Sequence, residues 1–200
     1  MHTRAFVEFK CAVVFVVLSC AVCSAVESRW VLLIEPSFTE NKMRRPIEGS
    51  ERTVLVMARW TDGETVPLTR AQKAGIPVTF AMIEADARQG ASAVLAGQEP
   101  VYVRDRHGVI DYALIESDDP LTATCVLAPE FGEKFSKTLG PDILVAVPNR
   151  NQVFVFSKQD DAYQRMGEAV VQAYLSSNYP VSREIFAWEK GRLRSLGLFQ

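Results

Sequence analysis

Four chain reversals constrain this sequence more than any other feature. Asp62-Gly63, Asp105-Arg106-His107-Gly108, Asn149-Arg150-Asn151-Gln152 and Lys190-Gly191 each stand between two short apolar or alternating segments. Connections that short join antiparallel neighbours, because a parallel pair needs a crossover of a dozen or more residues. The flanking segments therefore read as paired strands: 53–60 with 64–68, 101–104 with 109–116, 143–147 with 153–156, and 184–189 with 192–198. Apolar runs at 30–34 and 121–128 add a strand each. In the second run, period-2 alternation places Cys125 on one face with Leu121, Ala123 and Leu127, as a buried thiol.

Helices fall between these strands. Thr69 is placed to cap a short helix that ends at Gly75. Thr79, just after Pro77, caps a longer one over 79–95, in which Phe80, Ile83, Ala87 and Val94 recur at helical spacing. Glu84 and Asp86 sit in its N-terminal half, where the helix dipole tolerates negative charge. Residues 129–139 form a short helix closed by Gly140. The clearest amphipathic pattern covers 161–176: Gln164, Glu168, Gln172 and Ser176 make one polar stripe, and Tyr163, Met166, Val170, Ala173 and Tyr174 lie on the apolar remainder that should pack on a sheet. The expected fold is α+β, a mixed, largely antiparallel sheet built from hairpins with about four helices packed against it.

Residues 1–25 stand apart from this pattern. A short basic head (Arg4, Lys10) leads into a charge-free apolar run from Cys11 and then the small residues Cys23-Ser24-Ala25. A spanning helix needs about 20 apolar residues, and Glu27 and Arg29 interrupt too soon, so the segment reads as an export signal. Ala25 suits a signal peptidase, whereas Val17-Leu18-Ser19-Cys20 approximates the box after which a bacterial cysteine is lipidated, which would tether the chain to a membrane through Cys20. Either route exports the protein to the cell envelope, as a periplasmic or membrane-anchored product.

Removing residues 1–25 leaves 175 residues, with 20 basic and 23 acidic side chains and a net charge of −3. That length suits one domain over 26–200 with its own core. The charges are interspersed, and the densest basic patch, Lys42-Met43-Arg44-Arg45, is answered by Glu40, Glu48 and Glu51, so no nucleic-acid partner is expected. After cleavage at Ala25, Cys125 is the one remaining cysteine, which leaves no internal disulfide.

Several segments resemble the YtpQ-like family, a group of uncharacterised bacterial proteins known as a domain of unknown function. The similarity is strongest over 142–200, in Asp142-Ile-Leu-Val-Ala-Val-Pro-Asn-Arg-Asn-Gln-Val-Phe, Met166, Tyr179-Pro180-Val181 and Trp188-Glu189-Lys190-Gly191-Arg192-Leu193. It extends more weakly to about residue 53. Glu116-Ser117-Asp118-Asp119-Pro120-Leu121-Thr122-Ala123 stands where that family has an Asn-Asp-x-Tyr-Asp-Ala-Ser stretch. The resemblance implies a shared α+β domain and assigns no activity. Asn151 stands where relatives usually carry Asp, and Pro120 near their Tyr.

Catalytic signatures are absent. His107, the one histidine beyond residue 25, falls on a hairpin tip, which cannot supply the enclosure that a nucleophile–base pair needs. One His and one buried Cys do not make a zinc site, and Glu116-Ser117-Asp118-Asp119 lacks the spacing and the glycine of an EF-hand loop. No phosphate-binding glycine loop, dinucleotide fingerprint or nucleophile elbow occurs. No catalytic residue, metal or cofactor is therefore expected. The reading is a non-enzymatic exported domain that binds an envelope protein or a small ligand. Its candidate surface is Arg150 and Asn151 on one turn with Asp118 and Asp119 on the preceding loop, because loops carry function more often than scaffold. Two alternatives stand beside it. One is a small envelope hydrolase using converging carboxylates such as Asp111 and Glu116, with or without a metal; the other is a structural lipoprotein with an exposed apolar patch.

Overall fold

The computed structural model describes residues 28–38 and 42–199. Residues 1–25, read above as an export signal, and Cys20 with them, lie outside the described residues. The described chain opens with β1 (Ser28–Pro36), β2 (Arg44–Pro46), β3 (Thr53–Thr61) and β4 (Glu64–Pro67), which form a four-stranded sheet. β3 is its centre, paired antiparallel with β1 along one edge and with β2 and β4 along the other. The β3–β4 reversal needs positive φ at both turn positions, and Asp62 (53°) and Gly63 (84°) supply it.

Two helices follow. In α1 (Arg70–Ala74), Thr69 and Gln72 form a reciprocal capping box, and in α2 (Phe80–Ala96) the Thr79 hydroxyl accepts the Met82 N–H. The second half of the chain holds β5 (Val101–Arg104), β6 (Ile110–Glu116), a 3-10 helix (Thr122–Leu127), α3 (Phe131–Leu139), β7 (Ile143–Asn149), β8 (Gln152–Ser157), α4 (Ala162–Arg165), α5 (Gly167–Leu175), β9 (Glu184–Glu189) and β10 (Arg192–Leu198). Its six strands form a second sheet in the order β10-β9-β7-β8-β6-β5, with every neighbour antiparallel. The fold is α+β, with the antiparallel pairing that the reversals require, divided between two sheets.

β7 explains why its sequence is apolar without interruption. Ile143, Val145 and Val147 point into the main core with β1, β3, α2, α3 and the 3-10 helix, while Leu144 and Ala146 point into a second core under α4 and α5. β8 alternates in the same way, Val153 and Val155 to one side, Phe154 and Phe156 to the other. Both faces are covered, so the period-2 pattern of a half-solvated strand disappears. Each buried Phe, Leu or Val side chain contributes about 1.5–3 kcal/mol. Gly132 belongs to the same packing: a Cβ there would sit 2.3 Å from the Trp188 ring, whose indole N–H donates to Val126 O at 2.8 Å.

Two expectations are corrected. Residues 121–128 form no strand but a buried 3-10 helix. Asp119 starts it, its carboxylate accepting Leu121 N–H at 2.8 Å, and the Thr122 and Thr124 hydroxyls both donate to the carbonyl three residues back, at 2.7 Å. Such local bonds favour helical turns over an extended ladder. The whole segment is buried, so alternation along it carried no facial information. The helix expected over 161–176 is broken at Met166 into α4 and α5. Gly167 is a weak helix former and packs directly beneath Phe199, where a Cβ would approach the ring to 3.0 Å.

Polar contacts fasten the two sheets to each other. Arg150 Nη2 meets the Glu35 carboxylate of β1 at 2.5 Å, with Glu35 only 5% exposed. Glu184, 4% exposed, carries no basic partner; its carboxylate instead accepts hydrogen bonds from Ser50 (2.7 Å), Ser195 (2.9 Å) and Thr53. Ser195 N–H also donates to Glu48 O at 2.8 Å, beside Gly49, where a Cβ would lie 2.9 Å from Ser195 O.

Candidate functional site

Turns from both sheets meet at one end of the molecule. The β3–β4 hairpin brings Trp60, Gly63, Glu64 and Thr65; the loop after β6 brings Asp118 and Pro120; the β7–β8 turn brings Arg150 and Asn151; and the loop after α5 brings Tyr179. Together they line an open cleft of about 410 Å³. The β7–β8 turn is held from behind, largely by the loop after β6. Ser117 N–H donates to Asn151 O (3.1 Å) and Ala123 N–H to Arg150 O (2.9 Å), while the Asn149 side chain accepts Asn151 N–H (2.9 Å) and donates to Ala173 O (3.1 Å). The Asn151 amide group donates to Ser117 O at 2.7 Å. Rigid turns that present side chains into a concave space are how small-molecule sites are commonly built.

Arg150 is the pivot. Its guanidinium is pinned by Glu35 and lies over the Tyr179 ring, 5.4 Å from the centroid. By contrast, Glu64 and Asp118 are exposed, and their carboxylates make no ion pair or side-chain hydrogen bond within the described residues. Tyr179 is 59% exposed although it is a large aromatic residue. The cleft therefore combines two aromatic rings, two unengaged carboxylates, a side-chain amide and a fixed guanidinium.

Three of the four residues singled out from the sequence, Asp118, Arg150 and Asn151, come together in this lining. The fourth, Asp119, does not line it; its carboxylate accepts the Leu121 N–H just before the 3-10 helix. Trp60 and Tyr179 were not singled out for function. Their exposure depends on which strand end meets which loop, and the one available signal was an aromatic residue beside each of two turn sequences.

A larger groove of about 630 Å³ runs between α2, the β2–β3 loop and the β9–β10 turn. Three of its charges, Arg45, Glu84 and Arg88, are consumed by the protein itself, while Glu48, Glu51 and Arg192 also line it and make no ion pair among the described residues. Arg88 donates from Nε and Nη2 to one Glu84 oxygen (3.2 and 2.9 Å) and also to Leu127 O (3.1 Å) and Gly191 O (2.5 Å), and Arg45 takes the other Glu84 oxygen at 2.8 Å.

The remaining chemical candidates are engaged or enclosed. His107 is exposed at its hairpin tip and accepts a hydrogen bond from Arg106 at 3.0 Å. Asp111 is paired with Arg165, and Glu116 accepts from Gln152 at 2.7 Å. Cys125 lies wholly buried in the 3-10 helix, where burial pushes its thiol far above the ordinary range and makes thiolate chemistry unfavourable. Among the described residues no three His, Cys, Asp or Glu side chains gather to hold a metal ion, and no helix is long and apolar enough to cross a membrane. Comparison with protein-family models, with characterised proteins and with solved structures finds no match to this chain.

Proposed function

We propose that this protein is an exported, non-enzymatic binding domain of the cell envelope that holds its ligand in the cleft between the β3–β4 and β7–β8 turns. The observation that carries this reading is the convergence of Asp118, Arg150 and Asn151 with the rings of Trp60 and Tyr179 around one concavity. Residues 1–25 supply the address, either as a cleaved signal or as a lipid tether through Cys20. The resemblance to the YtpQ-like family adds no activity to this reading.

One observation favours a second reading. Glu64 and Asp118 share the cleft, and two facing carboxylates are the minimum for acid–base hydrolysis. Both are exposed, without the apolar enclosure that a general acid relies on. A structural lipoprotein would use an exposed apolar patch instead; of the exposed apolar side chains, Phe38 and Leu198 line one small cavity together.

The test is retention. The protein is incubated with the low-molecular-weight fraction of the envelope of its own cells, and bound compounds are identified by mass spectrometry. A compound kept by the wild type, recovered unchanged and lost from Tyr179→Ala supports a binding domain. Conversion of the compound favours the hydrolase, and equal retention by both proteins contradicts the cleft.

A further inference from the structure

We infer that the ligand of this cleft is a neutral saccharide; the inference rests on the binding reading above and adds its chemical class. The argument is one of hydrogen-bond complementarity. The cleft offers acceptors in the Glu64 and Asp118 carboxylates. It offers donors in the Thr65 hydroxyl and in those N–H groups of Arg150 that Glu35 leaves unused. An anionic ligand would satisfy the guanidinium and face two carboxylates. A cationic ligand would satisfy the carboxylates and leave the guanidinium unmatched. A hydroxyl group both donates and accepts, so a polyhydroxylated neutral molecule meets every polar group without a charge conflict.

The rest of the lining fits the same class. Trp60 and Tyr179 offer flat apolar surface to the C–H faces of sugar rings, and about 410 Å³ lies within the ~300–1,000 Å³ usual for small-molecule sites. A peptide is less well matched, because extended peptides are held largely through backbone hydrogen bonds. Here the backbone of the β7–β8 turn is spent internally, on Ser117 N–H and Ala123 N–H, so side chains meet the ligand.

The experiment is a glycan array carrying neutral and charged saccharides, followed by calorimetry on each glycan that binds. The account expects binding to one or more neutral glycans, weakened at least tenfold by Tyr179→Ala and by Asp118→Ala, and unchanged by Arg192→Ala at the separate groove. Both cleft variants should keep the wild-type melting temperature, since both side chains are exposed. Binding to no neutral glycan, or binding indifferent to both cleft variants, overturns the inference. If the wild type still retains an envelope compound in a Tyr179-dependent manner while the array stays blank, the saccharide class falls and the binding reading stands. Spermidine and an end-capped neutral peptide, titrated in parallel, then identify which other class the cleft takes. If neither retention nor glycan binding occurs, both fall.

Discussion

The two concavities of this protein use the same side-chain types for opposite ends. In the larger groove, Glu84 is shared by Arg45 and Arg88, and Arg88 reaches on to two backbone carbonyls, so these charges clasp α2 to the 3-10 helix and to the β9–β10 turn. In the smaller cleft, only Arg150 is committed, through Glu35, while Glu64, Asp118 and the Tyr179 hydroxyl have no partner among the described residues. The groove also keeps uncommitted charges in Glu48, Glu51 and Arg192, so free charge does not separate the two. What separates them is the pair of aromatic rings that lines the cleft beside its free carboxylates, a combination the larger groove lacks.

The comparison breaks most readily at Arg88. Replacing it with Ala leaves Leu127 O and Gly191 O without a donor and Glu84 with Arg45 alone, an expected loss of about 2–4 kcal/mol. Denaturant unfolding should show it as a lower midpoint, and an unchanged midpoint would mean that the groove charges are not structural. The same variant should speed iodoacetamide labelling of Cys125. Arg88 holds the end of the 3-10 helix that encloses this thiol, and the thiol should be inert in the folded wild type.

Arg150 belongs to both categories and sharpens the contrast. Arg150→Ala leaves Glu35 buried without its cation, and the expected cost is about 2 kcal/mol, less than for a fully enclosed pair because the arginine keeps some contact with water. Combining it with Glu35→Gln should cost less than Arg150→Ala alone, since no uncompensated charge remains; additive losses would deny the coupling. At the small end, Asp118→Asn and Tyr179→Ala should each change stability by no more than about 0.5 kcal/mol. Ligand binding should nevertheless fall at least tenfold, and a large loss of stability would reassign these residues to the scaffold.

Much of the scaffold was legible before any coordinates. Asp62-Gly63 and Lys190-Gly191 demand positive φ and obtain it, and Thr69 and Thr79 cap the helices their positions announce. Failures came where tertiary context overrode local pattern. Leu121–Ala128 looks extended because its β-branched and apolar residues alternate, yet it is enclosed on all sides, and Asp119 with two threonine hydroxyls closes helical turns instead. The break at Met166 depends on Phe199, more than thirty residues away, lying against Gly167. The division into two sheets was hidden as well, because hairpins specify local partners and say nothing of how hairpins join.

The cleft was half legible for the same reason. Asp118, Arg150 and Asn151 stand out as polar loop residues, but Trp60 reaches them through the joining of the two sheets, to which the Arg150–Glu35 pair contributes. Asp119, next to Asp118 in sequence, spends its carboxylate on the Leu121 N–H instead. Neighbours in a loop thus divide into one side chain that faces solvent and one that builds the fold, a distinction fixed by a single backbone N–H.

The most direct measurement is a map of NMR shift changes on the isotope-labelled protein as the low-molecular-weight envelope fraction is titrated in. Saturable changes at the Trp60 indole N–H and at the Gly63 and Asn151 amides, with the Arg88 side-chain N–H and Gly191 unmoved, are the predicted result. Changes centred on Arg88, Gly191 and Arg192 instead would place the site in the groove and contradict the account.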